Sequence, residues 1–405
     1  MRDAYIVSAV RTPGCRRGKG ALAQTRPENL IVQALNGAID KIKLDKGAVD
    51  DFMMGCAFPE AEQGLNLGRI AVQMAKFPDS VPGAVVNRFC SAGLEAIAIS
   101  ALKVMSGWSE VTMAGGLESM STVPMGGNLP RPHPDWAKEC AHVYMSMGIT
   151  AENVANRYKI TREMQDEFAY HSQMKAADAH KNKYFTEIIP TNADRYVEKP
   201  DGTIVKETFV QDFDDGVRAD TSIDGLKKLK PAFASTGSVT AGNSSQTTDG
   251  AAASVIMSAE AVQKYGMKPL VKLVAYTVTG CKADEMGVGP AYAIPKLLKL
   301  VGWDLGRLKT ESLLIELNEA FASQALYCAQ QLGISDKKLW ASDSPDRKIN
   351  ISGGAIALGH PLGCTGSKLA ATLIANMRRK GVKYGIESMC IGAGMGAAAL
   401  FELCE

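Results

Sequence analysis

The chain has no cysteine pair in C-x-x-C spacing, no apolar stretch long enough to cross a bilayer and no excess of either charge. Each absence removes a class of function. Nine cysteines are an odd and scattered set, which argues against a disulfide framework and against a zinc site and suits a reducing compartment. Lys and Arg number 45 against 43 Asp and Glu, so no bulk field draws the protein to nucleic acid or to a membrane surface. The start, MRDAYIVSAVRTPGCRRGKG, holds an apolar run too short for a signal sequence and reads as a first strand. A cytoplasmic location and no membrane insertion are therefore expected. Aromatics are only 6% of the chain and histidines only five, so any histidine in a special setting stands out.

What is present is alternating α/β patterning. The 405 residues exceed one ordinary core and predict closely packed domains. AYIVSAV, DFMMGCAF, GAVVN and EVTMAGG read as strands. Between them, RPENLIVQALNGAIDKI, LNLGRIAVQMAKF and the segment after Cys90 carry apolar residues at helical spacing. That last helix is expected to bury Leu94, Ile97, Ala98, Ala101, Leu102 and Met105. From about residue 270 a similar order returns: strands VKLVAYTV, SLLIELN, KINISGG and YGIESMCI, with helices AYAIPKLLKLVG, EAFASQALYCAQQLG and GSKLAATLIANMRR. The repetition predicts two related halves. The expected boundaries are an N-terminal half over 1–118, an inserted loop domain over 119–250, a return to the first half over 251–269 and a C-terminal half over 270–405. The insertion carries a helical stretch, TREMQDEFAYHSQMKAADAH, among polar turns, and its length suggests a substrate cover.

Four stations carry polar or thiol side chains at strand ends, where α/β sheets bind ligands. In VVNRFCSAGLEAIAIS, Cys90 stands where an apolar run gives way to a helix. The unpaired N–H groups there favour a thiolate, although free cysteine is also a common core residue. In NISGGAIALGHPLGCTGSK, His360 sits on a glycine-rich loop stiffened by Pro361, a setting that packing explains poorly. His360 and Cys364 lack a second ligand pair, so no metal is expected. In ESMCIGAGMGAAALFE, Cys390 ends a strand and three glycines follow. The chain ends too soon for a dinucleotide fold, so a tight turn between two strands is the better reading. In ELNEAFASQ, Asn318 and Glu319 occupy a strand-to-helix junction, where each taken separately reads as a helix N-cap.

Taken together, NRFCSAGLEAI, NEAFA, GGAIALGHPLGCTG and CIGAGMG resemble the thiolase family over essentially the whole chain. The resemblance implies two βαβαβαββ halves in a five-layer αβαβα sandwich with an inserted loop domain. It implies Cys90 as acyl-accepting nucleophile, His360 as its base and Cys390 as the group that moves the proton at the substrate's α-carbon or on the departing thiol. One oxyanion site would combine His360 with a water held by Asn318. The other would use the N–H groups of Cys90 and Gly392. Coenzyme A, as substrate and not as a bound cofactor, would lie along Ala232, Phe233, Ala241 and Ser245, with Arg218 near its phosphate or adenine. Gly225 departs from the serine often found at that place in relatives.

Within the family, SMGITAENVANRY presents Ser146 and Met147 where acetoacetyl-CoA-specific members carry His-Met. GVGPAYAIPK also resembles the degradative 3-ketoacyl-CoA thiolases of fatty-acid β-oxidation. Met147, Met286 and Phe321 would line the acyl pocket. The alternatives are a biosynthetic acetoacetyl-CoA thiolase and a non-catalytic sterol-carrier thiolase-like lipid-binding protein. Ketoacyl synthases share the fold but place His or Asn where this chain has Cys390. A homodimer or homotetramer is expected, with acyl-CoA, CoA and a β-oxidation multienzyme partner as the associations to test.

Overall fold

The computed structural model describes residues 1–404. The first half runs β1 (Tyr5–Arg11), β2 (Cys15–Arg16), α1 (Pro27–Asp40), β3 (Asp51–Gly55), α2 (Leu67–Met74), β4 (Gly83–Val86), α3 (Ala92–Met105) and β5 (Val111–Ser119). An excursion follows with α4 (Pro134–Glu139), α5 (Met147–Tyr158), α6 (Arg162–Lys181), β6 (Thr191–Glu198), β7 (Ile204–Gln211) and α7 (Ile223–Lys227). The chain then returns through β8 (Thr248–Met257) and α8 (Ala259–Lys264). The second half is β9 (Val271–Gly280), α9 (Gly289–Leu300), β10 (Leu313–Leu317), α10 (Ala322–Gln331), α11 (Ala355–Leu358), α12 (Thr365–Lys380), β11 (Tyr384–Ile391) and β12 (Met395–Leu403).

Strand order exposes the duplication. The first half reads β4-β3-β5-β8-β1 and the second β10-β11-β12-β9, and the two sheets join through a short antiparallel contact of β1 with β9. Outside β10, where the first half has β4, Ile349 makes a single parallel bridge to Ile315. The predicted strand KINISGG is thus reduced to that bridge. Asn350 adopts φ +47°, and its side chain accepts from Leu317 N and donates to Leu317 O at 2.8 Å each. An amide side chain takes the place of the next ladder rung.

Three separate cores give five layers. The helices α1 and α2 cover one sheet through Leu30, Ile31, Leu35 and Val72. On the far side, α9 and α10 cover the other through Ile294, Leu297 and Leu326. The helices α3 and α12 lie between the sheets, where Leu94, Ile97, Leu369 and Leu373 meet Ile256 and Phe401. The two central helices approach at their N-terminal ends through glycine: a Cβ on Gly93 would stand 2.7 Å from Ser367 N, and one on Gly366 would collide with Leu94 N.

The face of α3 is rotated from the expected stripe. Ala96, Ser100 and Val104 are buried with Leu94, Ile97 and Ala101, whereas Leu102 is 53% exposed. A helix wedged between two sheets and a second helix buries a wider arc than an amphipathic surface helix. The excursion is also more regular than its polar sequence suggests, since β6 and β7 pair as an antiparallel hairpin.

Candidate active site

Chain geometry brings the four stations to one place. Asn87 starts the first: its Oδ1 accepts the N–H of Phe89 at 2.8 Å, and its Nδ2 donates to Ala57 O. Phe89 is thereby held at φ +43°, a left-handed conformation costing about 1–3 kcal/mol in a residue with a Cβ. The turn Phe89–Ser91 then presents Cys90 just ahead of α3, with 7% of its surface accessible.

The expectation of a resting thiolate is corrected here. Burial pushes the Cys90 thiol up to about 11, outweighing the N–H groups of Gly392 and Cys90 that pull it down, and buried Glu118 adds to the rise. Low local polarity penalises charge more than two backbone dipoles repay. Cys90 rests as a thiol and needs a base. Of the groups acting on the sulfur, the N–H groups of Gly392 and of Cys90 itself are those that favour negative charge there.

His360 has the features of that base. Its Nδ1 lies 2.6 Å from Thr365 Oγ1, and Thr365 donates its own proton to Pro361 O at 3.0 Å. The hydroxyl can only accept from the ring, which fixes the proton on Nδ1 and leaves the lone pair on Nε2. Burial, with Lys368 nearby, brings the imidazole down to about 3. Its backbone N–H donates to Gln246 O and Thr248 Oγ1 at 3.0 Å. Asn318 Nδ2 reaches Nε2 at 3.5 Å, while its buried Oδ1 has no partner among the described residues. A buried amide oxygen without a donor suits an ordered water.

Cys390 closes β11, and Gly392, Ala393 and Gly394 turn the chain into antiparallel β12, as the sequence predicts. Both Ala393 and Gly394 have positive φ, at 64° and 87°. Burial holds the Cys390 thiol well above its ordinary range, and the nearby Cys90 sulfur adds to the rise. Met147, Met286 and Phe321 gather with Ala151, Val239 and Cys390 in one apolar cluster. A Cβ on Gly392 would touch Phe89 at 3.6 Å and Met147 Sδ at 3.7 Å, so the cluster borders both cysteines.

A cleft of about 270 Å³ opens beside the loop after α7, lined by Arg218, Gly225, Leu226, Leu229, Ala241 and Gln246. Ala232, Phe233 and Ser245 are not among its lining residues, and Ala232 and Phe233 are exposed. Phe233 meets the Phe321 ring edge-on at 5.9 Å, Ser245 N donates to Ala320 O, and Ala232 N donates to Val239 O. At Gly225 a Cβ would touch only Ser222 Oγ, at 3.1 Å, so the cleft is slightly wider there than with serine.

Glu319 is not an N-cap. Fully buried, it accepts from Ser172, from Asn350 Nδ2 at 2.8 Å and from Ile356 N at 3.3 Å, tying the excursion to the loop that leads into His360. Helix α10 begins three residues later, after Phe321. Sequence reasoning passed over Glu118, Thr365 and Lys368. A threonine five places after His360 was the available signal for the second, whereas the partners of Glu118 lie far away in the chain.

Comparison with known proteins agrees with this geometry. A family profile described as "Thiolase, N-terminal domain" matches residues 4–260, and "Thiolase, C-terminal domain" matches residues 267–403. The chain is 46% identical to a 3-ketoacyl-CoA thiolase of Bacillus subtilis, with both chains covered completely. It is 41% identical to the human peroxisomal 3-ketoacyl-CoA thiolase, covering 99% of this chain and 91% of that one. Among solved structures, an acetyl-CoA acetyltransferase of Bacillus anthracis superposes with TM-score 0.86 at 36% identity, covering 100% of this chain and 99% of the other. Human mitochondrial 3-ketoacyl-CoA thiolase does so with TM-score 0.85 at 34% identity, over 100% and 99%.

Proposed function

The chain belongs to the thiolase family, and on that premise we propose that it is a degradative 3-ketoacyl-CoA thiolase working through an acyl-Cys90 intermediate. It is an acyltransferase that uses coenzyme A thioesters. The observation that carries the mechanism is the Thr365–His360 hydrogen bond, which leaves Nε2 free to take a proton.

Nε2 of His360 removes the Cys90 proton, and Sγ attacks the 3-keto carbon of the substrate. The N–H groups of Cys90 and Gly392 hold the oxygen of the tetrahedral adduct. The C2–C3 bond then breaks, and its electrons form the enolate of acetyl-CoA. That enolate oxygen accepts from protonated Nε2 and from a water held by Asn318. Cys390 supplies the proton to C2, a role for which a thiol held neutral by burial is suited. Coenzyme A entering past Ala241 and Ser245 loses its thiol proton to Cys390 and attacks the acyl-Cys90 carbonyl. A shortened acyl-CoA leaves, and His360 returns the first proton to Cys90.

The degradative direction is supported by the named relatives and by the wholly apolar cluster at Met147, Met286 and Phe321. No helix of the described residues is long and apolar enough to cross a membrane. A cytoplasmic enzyme, a homodimer or homotetramer and a multienzyme partner in β-oxidation belong to the same proposal. The test is mass spectrometry of the protein mixed with acetyl-CoA, whose coenzyme A leaves as a thiolate without a proton from Cys390. An acyl group on Cys90, persisting in Cys390→Ala while solvent deuterium no longer enters acetyl-CoA, is expected. Acylation of a different cysteine overturns the assignment.

A further inference from the structure

Helix α12 touches His360 through two residues one turn apart. Thr365 holds the ring; Lys368 holds the backbone. The Lys368 side chain is 3% exposed, and its Nζ donates to Leu358 O at 2.8 Å and to Gly359 O at 2.9 Å, the two carbonyls that lead into His360. Gly359 between them has φ +81°, so these carbonyls point back toward α12 only in a conformation that other residues resist.

We propose that Lys368 is a positioning residue for the base: its ammonium clamps the loop carrying His360, so that the ring keeps its Nδ1–H on Thr365 and its Nε2 lone pair open to the site. The inference rests on the reading of His360 as the base of a thiolase.

The electrostatics run in the same direction. Lys368 is the one charged group acting on His360 besides burial itself, and it acts to lower it. Burial lowers Lys368 itself to about 8; Asp214 is the main group opposing that fall, Arg11 adds to it, and Cys364 and Glu187 oppose it. Asp214 lies on the segment that reaches the coenzyme A cleft at Arg218. It takes two hydrogen bonds from Arg11 of β1, at 2.7 and 2.9 Å. Glu187 accepts from Arg11 Nε and from Thr372 of α12. Arg11, Asp214 and Glu187 thus set the charge around Lys368, whose own hydrogen bonds go to the loop carbonyls. Its charge acts at the last step: a buried ammonium disfavours the imidazolium and so favours return of the proton from Nε2 to Cys90.

The test compares Lys368→Met, Lys368→Arg and wild type in thiolysis across pH 5 to 9. Lys368→Met removes charge and donors at similar volume. It is expected to lower kcat about tenfold or more with KM for coenzyme A nearly unchanged, and to move the acidic limb of kcat/KM upward, burial still holding His360 below the ordinary histidine range. Lys368→Arg, which keeps the charge, is expected to retain the acidic limb of the wild-type pH profile. A folded Lys368→Met with wild-type kcat and pH profile overturns the proposal. Should Lys368→Met fail to fold, nitrogen-15 spectra of wild-type His360 decide: the neutral Nδ1–H tautomer from pH 5 to 8 is expected, and an imidazolium in that range overturns the proposal. Wild type with no thiolysis of any 3-ketoacyl-CoA would instead sink the assignment of function, so the two failures are distinguishable.

Discussion

Glu118 Oε2 accepts the backbone N–H of Gly363 at 2.8 Å, joining the end of β5 in the first half to the His360 loop of the second. The same oxygen accepts Ala57 N at 2.8 Å, and Oε1 accepts Gln63 Nε2 at 2.8 Å. Gln63 cannot turn its amide to compensate, because its own oxygen accepts Ser119 N. Glu118→Gln would therefore set two NH2 groups against each other in a dry site. It is expected to lose about 1–3 kcal/mol of stability and to lower kcat by loosening the loop. Urea denaturation and steady-state thiolysis check both, and wild-type values in each would refute the clamp.

The Cys90 thiol is pushed up to about 11 and His360 is brought down to about 3. A thiol with a raised value ionises only as pH climbs, whereas an imidazole with a lowered value remains a competent base at mildly acidic pH. Iodoacetamide should thus modify wild-type Cys90 at a rate that changes little from pH 5 to 8. In His360→Ala the rate should start far lower and climb roughly tenfold per pH unit. A histidine-like inflection near pH 6.5 in wild type would contradict this ordering.

Thr365→Val keeps the shape of the side chain and removes the acceptor on which the His360 tautomer depends. A fall in kcat of about 10- to 100-fold is expected, with KM little changed. Thr365→Ser restores the hydroxyl and should restore most of the rate. Equal activity of Val and Ser variants would show that Thr365 merely packs.

Met147, Met286 and Phe321 predict acceptance of acyl chains longer than four carbons. Thioether chains can rotate aside where an imidazole could not. Each further buried methylene contributes up to about 0.8 kcal/mol, a few-fold in kcat/KM. The series acetoacetyl-, 3-ketohexanoyl-, 3-ketooctanoyl- and 3-ketohexadecanoyl-CoA reads the steps. Activity confined to acetoacetyl-CoA would leave the acetoacetyl-specific alternative standing.

Cys90, His360 and Cys390 are legible in the sequence because each follows an apolar strand or a glycine-rich loop, where local pattern marks a chain reversal. Local pattern also finds the sheet strands it proposes, except at KINISGG, where the side chain of Asn350 breaks a ladder that its neighbours continue. The ionisation of Cys90 escapes such reading: the first turn of a helix suggests a thiolate, and only the packing of Phe89, Glu118 and the second half reveals how little water is left. Glu118 and Lys368 escape for a related reason. Each is a charged side chain of unremarkable neighbours in sequence, bonded to backbone groups that its own segment does not supply.

Strand β1 is flanked by β8 and β9, which begin only at Thr248 and Val271. A ribosome therefore completes the first strand early and must release most of the protein before either neighbour exists. Such late, non-local pairing leaves sheet edges open during synthesis. Cys90 is also made before His360 and Gly392, so the nascent chain carries an ordinary thiol. The groups proposed to act on that thiol arrive only with the C-terminal half, so a partly made chain lacks them.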